Sequence, residues 1–109
     1  MDQALAPASE KDCAVEVTVA VIGGKWKPIL LFHMLSGAKR FSELKRLVPQ
    51  ASDRMLTRSL RELEQDRLIT RRVIAEVPVR VEYSLSADGE TLIPILNAMS
   101  DWGRKRTES

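Results

Sequence analysis

Three arginines recur at the spacing of one helix face in a short stretch of the sequence. Arg54, Arg58 and Arg61 lie within residues 52–65, which read SDRMLTRSLRELEQ. On a helix that turns about 100° per residue, they share one side with Thr57, and the opposite side is apolar, formed by Met55, Leu56, Leu60 and Leu63. A guanidinium group can donate paired hydrogen bonds to guanine O6 and N7, and each such pair discriminates between bases by about 1–3 kcal/mol.

Basic residues are concentrated in the middle of the chain. Residues 25–80 contain 13 Lys and Arg against 6 Asp and Glu, whereas the rest of the chain contains 4 basic and 9 acidic residues. A generally solvated charged surface would not produce this asymmetry, which favours one anionic partner facing one part of the fold. Because only 5% of the residues are aromatic, the sequence argues against nucleic-acid modules that depend on base stacking.

Length and composition indicate a single domain with one mainly aliphatic core, since the chain has 109 residues and 44% of them are hydrophobic. Residues 1–12 are polar and acidic, without the apolar segment of a signal peptide, and no stretch approaches the length of a membrane span. The single cysteine, Cys13, excludes an internal disulfide and fits a reducing, cytoplasmic environment. We therefore expect a cytoplasmic protein without a membrane partner.

The sequence shows no signature of an enzyme or a metalloprotein. With one cysteine and one histidine, His33, the chain lacks the ligands of a conventional closed zinc site, and we expect His33 to be a core residue. No nucleophile–base pair, phosphate-binding glycine loop or metal cluster is visible. We expect no catalytic residues, no metal and no cofactor.

The elements that must position the arginine face follow from periodicity and capping signals. A helix is predicted to begin near Trp26, after Gly23-Gly24, and to end at Ser36-Gly37. A short helix follows from Phe41 to Val48, and Ser52 then caps the arginine helix, which runs to about Asp66. Residues 68–76 and 79–85 are two strand-like runs that predict a β-hairpin.

The two ends of the chain are less simple. Residues 15–22, VEVTVAVI, begin with the alternation of a strand, but Val15, Val19 and Ile22 also fit a buried helix, and the pattern does not decide between them. Ser86 is predicted to cap a final helix that bends at Pro94. This helix has more apolar surface than one small core needs, which favours dimerisation through Leu92, Ile95, Leu96, Met99 and Trp102.

A short helix, a tight turn, a basic helix and a hairpin follow one another in the order of a helix-turn-helix with a wing. The leucine side would hold the basic helix on the fold, while its arginine side would enter the DNA major groove, where a helix fits geometrically. We therefore expect a mainly α-helical fold with a small β-hairpin. The expected direct DNA contacts are Arg54, Thr57, Arg58 and Arg61.

Further basic residues are candidates for phosphate contacts, which position a protein on DNA without specifying sequence. Ser52 would present the helix N-terminus to a phosphate, and Arg80 at the wing tip could reach the minor groove or flanking backbone. Arg71 and Arg72 alternate on a strand, so at most one of them should face DNA. The remaining candidates for phosphate contacts are Lys25, Lys27, Lys39, Arg40 and Lys45.

Ordered motifs extend over about residues 13–103, namely CAVE, IGGKWKPIL, KRFSELKR, SDRMLTRSLRELE, VPVRVEYSLS and ADGETLIPILNAMSDWG. Together they resemble the HxlR-type winged helix-turn-helix transcriptional regulators. We accordingly divide the chain into a flexible tail (1–12), the HxlR-type domain (13–103) and a short basic tail (104–109). One departure is Asp66-Arg67, because the family often has glycine at the second position; Arg67 must adopt a less easy conformation there, or a different turn.

The resemblance implies features that spacing does not show. It implies that residues 15–22 form a helix, and that the N- and C-terminal helices pack across the two-fold axis of a homodimer, with Val15 and Val19 in the interface. It also implies a repressor or activator that binds double-stranded DNA, with a palindromic operator, often responding to electrophiles or oxidants. Cys13 is then either a thiol sensor or an inert small side chain.

A different class of function also fits the arginine face. A winged-helix module can bind a protein, and an acidic partner could occupy the same guanidinium groups. Substitution of Arg58 and Arg61 would then abolish capture of that partner without changing DNA retention. The DNA-binding regulator is the interpretation that the charge pattern and the order of elements favour together.

Overall fold

A computed structural model describes residues 13–108 of the protein. The fold is mainly α-helical with a small three-stranded antiparallel sheet, as the sequence predicted. Its elements in chain order are α1 (Ala14–Ile22), α2 (Trp26–His33, extended by a 3-10 turn, Met34–Ser36), β1 (Lys39–Arg40), α3 (Phe41–Leu47), α4 (Asp53–Gln65), β2 (Ile69–Ile74), β3 (Arg80–Leu85), α5 (Ala87–Glu90) and α6 (Ile93–Glu108).

The sheet has the strand order β1-β3-β2. The predicted hairpin is present, because β2 and β3 pair from Ile69 opposite Leu85 to Ile74 opposite Arg80. No sequence pattern predicted β1, whose two residues pair with Tyr83 and Glu82 of β3. This short strand connects the backbone just before α3 to the hairpin, which forms the wing.

The core lies between α2, α3 and α4 and is formed mainly by leucine. The side chains of Leu56, Leu60 and Leu63 are buried, so the apolar side of α4 packs inward as its periodicity predicts. Met55, assigned to the same side, is instead exposed. The facing leucines from the other two helices are Leu30, Leu31 and Leu44, which are fully buried.

Residues 14–22 form a helix, as the resemblance implied, and not the strand that their alternation suggested. Cys13 is the residue at its N-cap, and its carbonyl oxygen accepts hydrogen bonds from the backbone N–H groups of Glu16 (2.9 Å) and Val17 (3.2 Å). Ile22 is the only buried residue of α1. Most of this helix therefore makes no contribution to the core of its own subunit.

The C-terminal helix differs from the prediction. Ser86 caps the short helix α5, whose Gly89 N–H donates to Ser86 Oγ at 3.0 Å, and α6 begins separately at Ile93. Pro94 lies in the first turn of α6, where no helical partner is needed for its missing N–H, so the predicted bend at this residue was wrong. Residues 104–108, assigned to a basic tail, continue α6. The N-terminal tail, 1–12, lies outside the described residues.

His33 is partly exposed and does not belong to the core, which corrects its assignment as a core histidine. Its ring meets the ring of Phe32 edge to face, with the centroids 6.3 Å apart. Partial burial, followed by the positive charge of Lys39, lowers the pKa of His33. At neutral pH, the uncharged form of the His33 imidazole is therefore favoured.

Residues 13–108 contain no helix that is both long and apolar enough to cross a membrane. The same residues contain no group of three or more His, Cys, Asp or Glu side chains that could hold a metal ion.

Candidate nucleic-acid interface

The turn between α3 and α4 is tightly held by backbone and side-chain hydrogen bonds. The N–H of Ala51 donates to the carbonyl oxygen of Val48 at 3.1 Å, and the Ala51 side chain is fully buried. Ser52 Oγ accepts a hydrogen bond from the N–H of Met55 at 3.1 Å, which confirms the predicted N-cap of α4. The start of α4 is thereby fixed relative to the core.

Lys45 also belongs to this turn. Its ammonium group donates to the carbonyl oxygen of Ala51 and lies 3.6 Å from Asp53 Oδ1. Lys45 is one of the predicted phosphate contacts, but these partners hold it against the protein's own backbone. The side chain therefore stabilises the connection between the two helices of the motif.

The outer side of α4 carries the four side chains that the sequence predicted together. Arg54, Thr57, Arg58 and Arg61 are all exposed, and they line one open depression with Asp53. Arg58 is the member of this group with an ion pair, to Glu62, at 3.3 Å. The structure thus presents a cationic helix face whose opposite side is sealed in the core.

Arg71 extends this face onto the sheet. It lies opposite Tyr83 in the strand register, and both residues line a second depression with Thr57 and Arg61. Arg72 lies opposite Glu82, on the other face of the hairpin. Strand alternation had indicated that at most one of the two arginines should face DNA, but it could not show which.

The two lysines near the start of α2 are not equivalent. Lys27 Nζ lies 3.0 Å from Glu62 Oε1, and only 16% of the Lys27 side chain is exposed. Lys27 is therefore engaged within the protein, which contradicts its assignment as a phosphate contact. Lys25 is exposed, and its ammonium lies 4.9 Å from the ring centroid of Trp26.

The basic pair before α3 is also partly engaged. Lys39 Nζ donates to Ser36 Oγ at 2.9 Å and to the carbonyl oxygen of Gly37 at 3.3 Å. Arg40 is exposed, and its backbone N–H donates to Glu43 Oε1 at 2.8 Å. Of the two residues Arg40 is the more exposed, and its Nε lies 4.0 Å from Glu43 Oε1.

The wing tip combines an ion-paired arginine with exposed apolar side chains. Arg80 is held between two carboxylates of its own hairpin, Glu76 at 3.4 Å and Glu82 at 3.2 Å. Arg80 is therefore ion-paired, with 34% of its side chain exposed, and its contact with the minor groove or flanking backbone stays a prediction. The exposed side chains at the tip are apolar, those of Val77 and Val79.

The residues assigned to a dimer interface divide into two groups. Leu92 and Leu96 are buried in the core of their own subunit, so their assignment to an exposed interface was wrong. The others are exposed, and 66% of Trp102 is accessible. These exposed apolar side chains are Val15 and Val19 on α1, and Ile95, Met99 and Trp102 on α6.

Phe32 is a further exposed apolar residue that sequence periodicity did not single out. It lines a shallow apolar groove between α2 and α6 with Ile29 and Met99. Cys13 carries a free, half-buried thiol at the start of α1. The exposed apolar side chains thus lie on α1, α2 and α6, and the thiol lies at the start of α1.

The fold and the cationic helix agree with comparisons to known proteins. The family model described as HxlR-like helix-turn-helix matches residues 21–109. The HTH-type transcriptional regulator YdeP of Bacillus subtilis is 54% identical over 93 residues, which are 85% of this chain and 73% of YdeP. The oxidized form of the redox regulator HypR superposes with a TM-score of 0.84 at 53% identity, over 85% of this chain and 96% of HypR.

A second transcriptional regulator of known structure is less similar in sequence. The reduced form of YodB from B. subtilis has a TM-score of 0.74 at 32% identity, over 82% of this chain and 87% of YodB. The relatives and the fold are those of a non-enzymatic class of protein. The chain therefore belongs to the HxlR-like helix-turn-helix family of transcriptional regulators.

Proposed function

We propose that the protein is a homodimeric, sequence-specific DNA-binding regulator that inserts α4 of each subunit into the major groove. The main support for this proposal is that α4 has two different sides, one buried and one exposed. Its leucines are sealed in the core, whereas Arg54, Arg58 and Arg61 are exposed together. A helix held in this way fits the width of the major groove and presents its guanidinium groups to the bases, while its leucines remain buried in the core.

The proposal assigns different tasks to different polar groups. Arg54, Thr57, Arg58 and Arg61 contact bases, and Arg71 extends the cationic surface beside them. Ser52 and the first amides of α4 face a phosphate, because a helix N-terminus favours negative charge. The exposed Lys25 and Arg40 are the remaining phosphate contacts, whereas Lys27 acts inside the protein.

A salt titration tests DNA binding. Affinity for duplex DNA is expected to fall steeply as salt rises, because each neutralised phosphate contributes about −0.9 to the slope of log K against log salt. Arg54→Ala and Arg61→Ala are each expected to weaken operator binding at least tenfold, because each variant loses a contact of about 1–3 kcal/mol in both subunits of the dimer. The measurement is fluorescence anisotropy with an operator selected from genomic fragments and with a random duplex.

Arg104→Ala is the matched control for these variants, because it removes the same charge from α6 instead of α4. It is expected to leave operator affinity within about twofold of wild type. Affinity for random duplex that hardly changes with salt would contradict the proposal. So would equal losses in the α4 and α6 variants.

Dimerisation is supported by the apolar side chains left exposed on α1 and α6. A two-fold dimer would place two copies of α4 on one side of the duplex, at half-sites about 10–10.5 base pairs apart centre to centre, or a multiple of that spacing. A palindromic operator is the expected consequence of this symmetry. Footprints on selected fragments would show whether the protected half-sites have this spacing.

We further propose that Cys13 senses electrophiles or oxidants. Support comes from its position at the N-terminus of α1, from its free thiol, and from the similarity to the redox regulator HypR. Addition of N-ethylmaleimide to the thiol forms a carbon–sulfur bond and enlarges a side chain at the start of a helix proposed to lie in the dimer interface. This change is expected to release wild-type protein from operator DNA.

The variant Cys13→Ser tests the sensor separately from DNA binding. It is expected to bind the operator like wild type and to remain bound after treatment with N-ethylmaleimide. Release of the variant at the wild-type dose would show that Cys13 is not the sensor.

A further inference from the structure

One carboxylate of α4 connects the outer face of that helix to α2. Glu62 Oε1 lies 3.0 Å from Lys27 Nζ, and Glu62 Oε2 lies 3.3 Å from Arg58 Nε. Each carboxylate oxygen therefore has its own cation, one from the interior and one from the proposed DNA-binding face.

The two cations differ strongly in exposure. Only 16% of the Lys27 side chain is exposed, against 80% of the Arg58 side chain. An exposed pair four residues apart on a helix contributes only about 0.3–0.5 kcal/mol by itself. Here Lys27 of α2 already pairs with the Glu62 carboxylate, so the Glu62 side chain has less freedom to lose when Arg58 binds to it.

Glu62 remains ionised at neutral pH. Its hydrogen bonds with Lys27 and then Arg58, together with the charges of both cations, lower the pKa of this carboxyl below its ordinary value. The negative charge beside Arg58 is therefore a constant feature of the surface.

Arg58 is distinct from its two neighbours on the same face. Within residues 13–108, no carboxylate pairs with Arg54 or Arg61. The bond to Glu62 uses Arg58 Nε, which leaves both terminal nitrogens free. Those terminal nitrogens can form a bidentate contact with guanine O6 and N7.

We infer that Glu62 is a positioning and specificity residue: it weakens the attraction of Arg58 to backbone phosphates and aims its guanidinium at a base edge. This inference rests on the proposed DNA-binding function. Non-specific binding comes almost entirely from neutralised phosphates, so a cation that already has an anionic partner contributes less to it. A base contact depends on direction, and a guanidinium held at Nε has lost part of its rotational freedom.

The substitution Glu62→Gln tests the inference directly. The amide oxygen of glutamine can still accept a hydrogen bond from Lys27, so the variant is expected to fold, but Arg58 loses its anion. Affinity for a random duplex is expected to rise, and its salt slope to steepen by about 1.8 for the dimer, the value for one additional phosphate in each subunit. The ratio of operator affinity to random-duplex affinity is expected to fall at least threefold.

Glu64→Gln is the matched control, because it removes the same charge from the same helix. No cation pairs with Glu64 in the part of the chain that the structure describes. This variant is expected to keep the wild-type salt slope and the wild-type affinity ratio. Identical behaviour of the two glutamine variants would overturn the inference, since net charge alone would then explain both.

A double-mutant cycle shows whether Glu62 acts through Arg58. In an Arg58→Gln background, Glu62→Gln is expected to leave the affinity ratio unchanged. An undiminished effect in that background would overturn the inference. Equal weakening of operator and random-duplex binding by Glu62→Gln alone would also overturn it, because that result indicates a merely structural role.

A second comparison remains informative if Glu62→Gln fails to fold. Arg54→Gln is expected to reduce the random-duplex salt slope by about 1.8 for the dimer, one phosphate contact in each subunit, and Arg58→Gln to reduce it by clearly less. Equal reductions would overturn the inference. Wild-type protein without salt-dependent DNA binding would instead contradict the proposed function, so the two failures can be told apart.

Discussion

Arg67 is the one residue other than glycine, among those the structure describes, whose backbone has a positive φ, 64°. It follows the end of α4, where its N–H donates to the carbonyl oxygen of Glu64 at 2.9 Å and the N–H of Leu68 donates to that of Leu63 at 3.0 Å. This is the pattern of a helix C-terminus that normally ends in glycine. The less easy conformation expected for Arg67 is confirmed, and the hydrogen bonds around it hold it in place.

Arg67→Gly is expected to raise the free energy of unfolding by about 0.5–1 kcal/mol. Glycine removes the strain of a left-handed residue, which costs about 1–2 kcal/mol, but it also makes the unfolded chain more flexible. The measurement is urea denaturation followed by circular dichroism. Asp66→Gly is the control, because Asp66 has a φ of −83°, and that variant is expected to be less stable than wild type. An Arg67→Gly variant no more stable than wild type would contradict this account.

At the scale of elements, α5 packs directly on the start of the wing. The N–H of Ser86 donates to the carbonyl oxygen of Leu68 at 3.0 Å. A Cβ added at Gly89 would lie 2.1 Å from that same carbonyl oxygen, closer than two such atoms can approach. Gly89 therefore allows the helix to approach the backbone of the wing.

Gly89→Ala is expected to lower the free energy of unfolding by about 1–3 kcal/mol, because backbone must move to accept the methyl group. Gly103→Ala provides an informative contrast. Gly103 lies inside α6 with nothing within 4 Å of an added Cβ, so alanine is expected to stabilise the protein by about 0.5–1 kcal/mol through backbone entropy. Thermal unfolding of both variants tests the pair. Similar shifts in Tm would show that contact with Leu68 is unimportant.

Sequence reasoning succeeded where a local signal determined an element. Ser52 and the leucine periodicity predicted α4 correctly, since capping and amphipathicity act within one helix. It could not decide the structure of residues 15–22, where β-branched residues suggest a strand but the helix has little contact with the core. The short strand β1 and the separation of α5 from α6 depend on partners far along the chain, so no local pattern showed them.

In the candidate site, too, a local pattern predicted some features, whereas others depend on contacts that only the fold creates. The exposure of the arginine face followed from periodicity, because a helix with one buried side must expose the other. The ion pairs of Lys27 and Arg80 did not, since whether a basic side chain is free depends on which carboxylates the fold brings within reach. Charge in the sequence therefore overestimated the cations available to a partner.

At the scale of the whole molecule, apolar surface is left on two helices that the core hardly uses. Val15 and Val19 on α1, and Met99 and Trp102 on α6, are all exposed. Burying one such side chain completely is favourable by about 1.5–3 kcal/mol. A second subunit is the partner that the proposed function requires for these helices.

Met99→Glu combined with Trp102→Glu is expected to convert the proposed dimer to a monomer, because each two-fold interface would then bury four carboxylates without partners. Sedimentation velocity measures the change, and operator affinity is expected to fall more than tenfold. Val73→Glu is the control, since it places a charge at an exposed apolar residue of the wing, and it should leave the oligomeric state unchanged. A double variant that sediments like wild type would rule out this face as the interface.

The pairing of β1 with β3 affects how chimeras of these regulators should be built. In the sheet, Lys39 and Arg40 pair with Tyr83 and Glu82 of the wing. Helix α3 begins at the next residue, Phe41. A donor wing grafted alone would have to rebuild this pairing against a foreign segment, and a donor α4 grafted alone would meet a wing placed for another helix. The smallest unit that can be transferred is therefore the continuous segment 39–85, because it contains β1, its partner strand β3, and the helices α3 and α4 between them.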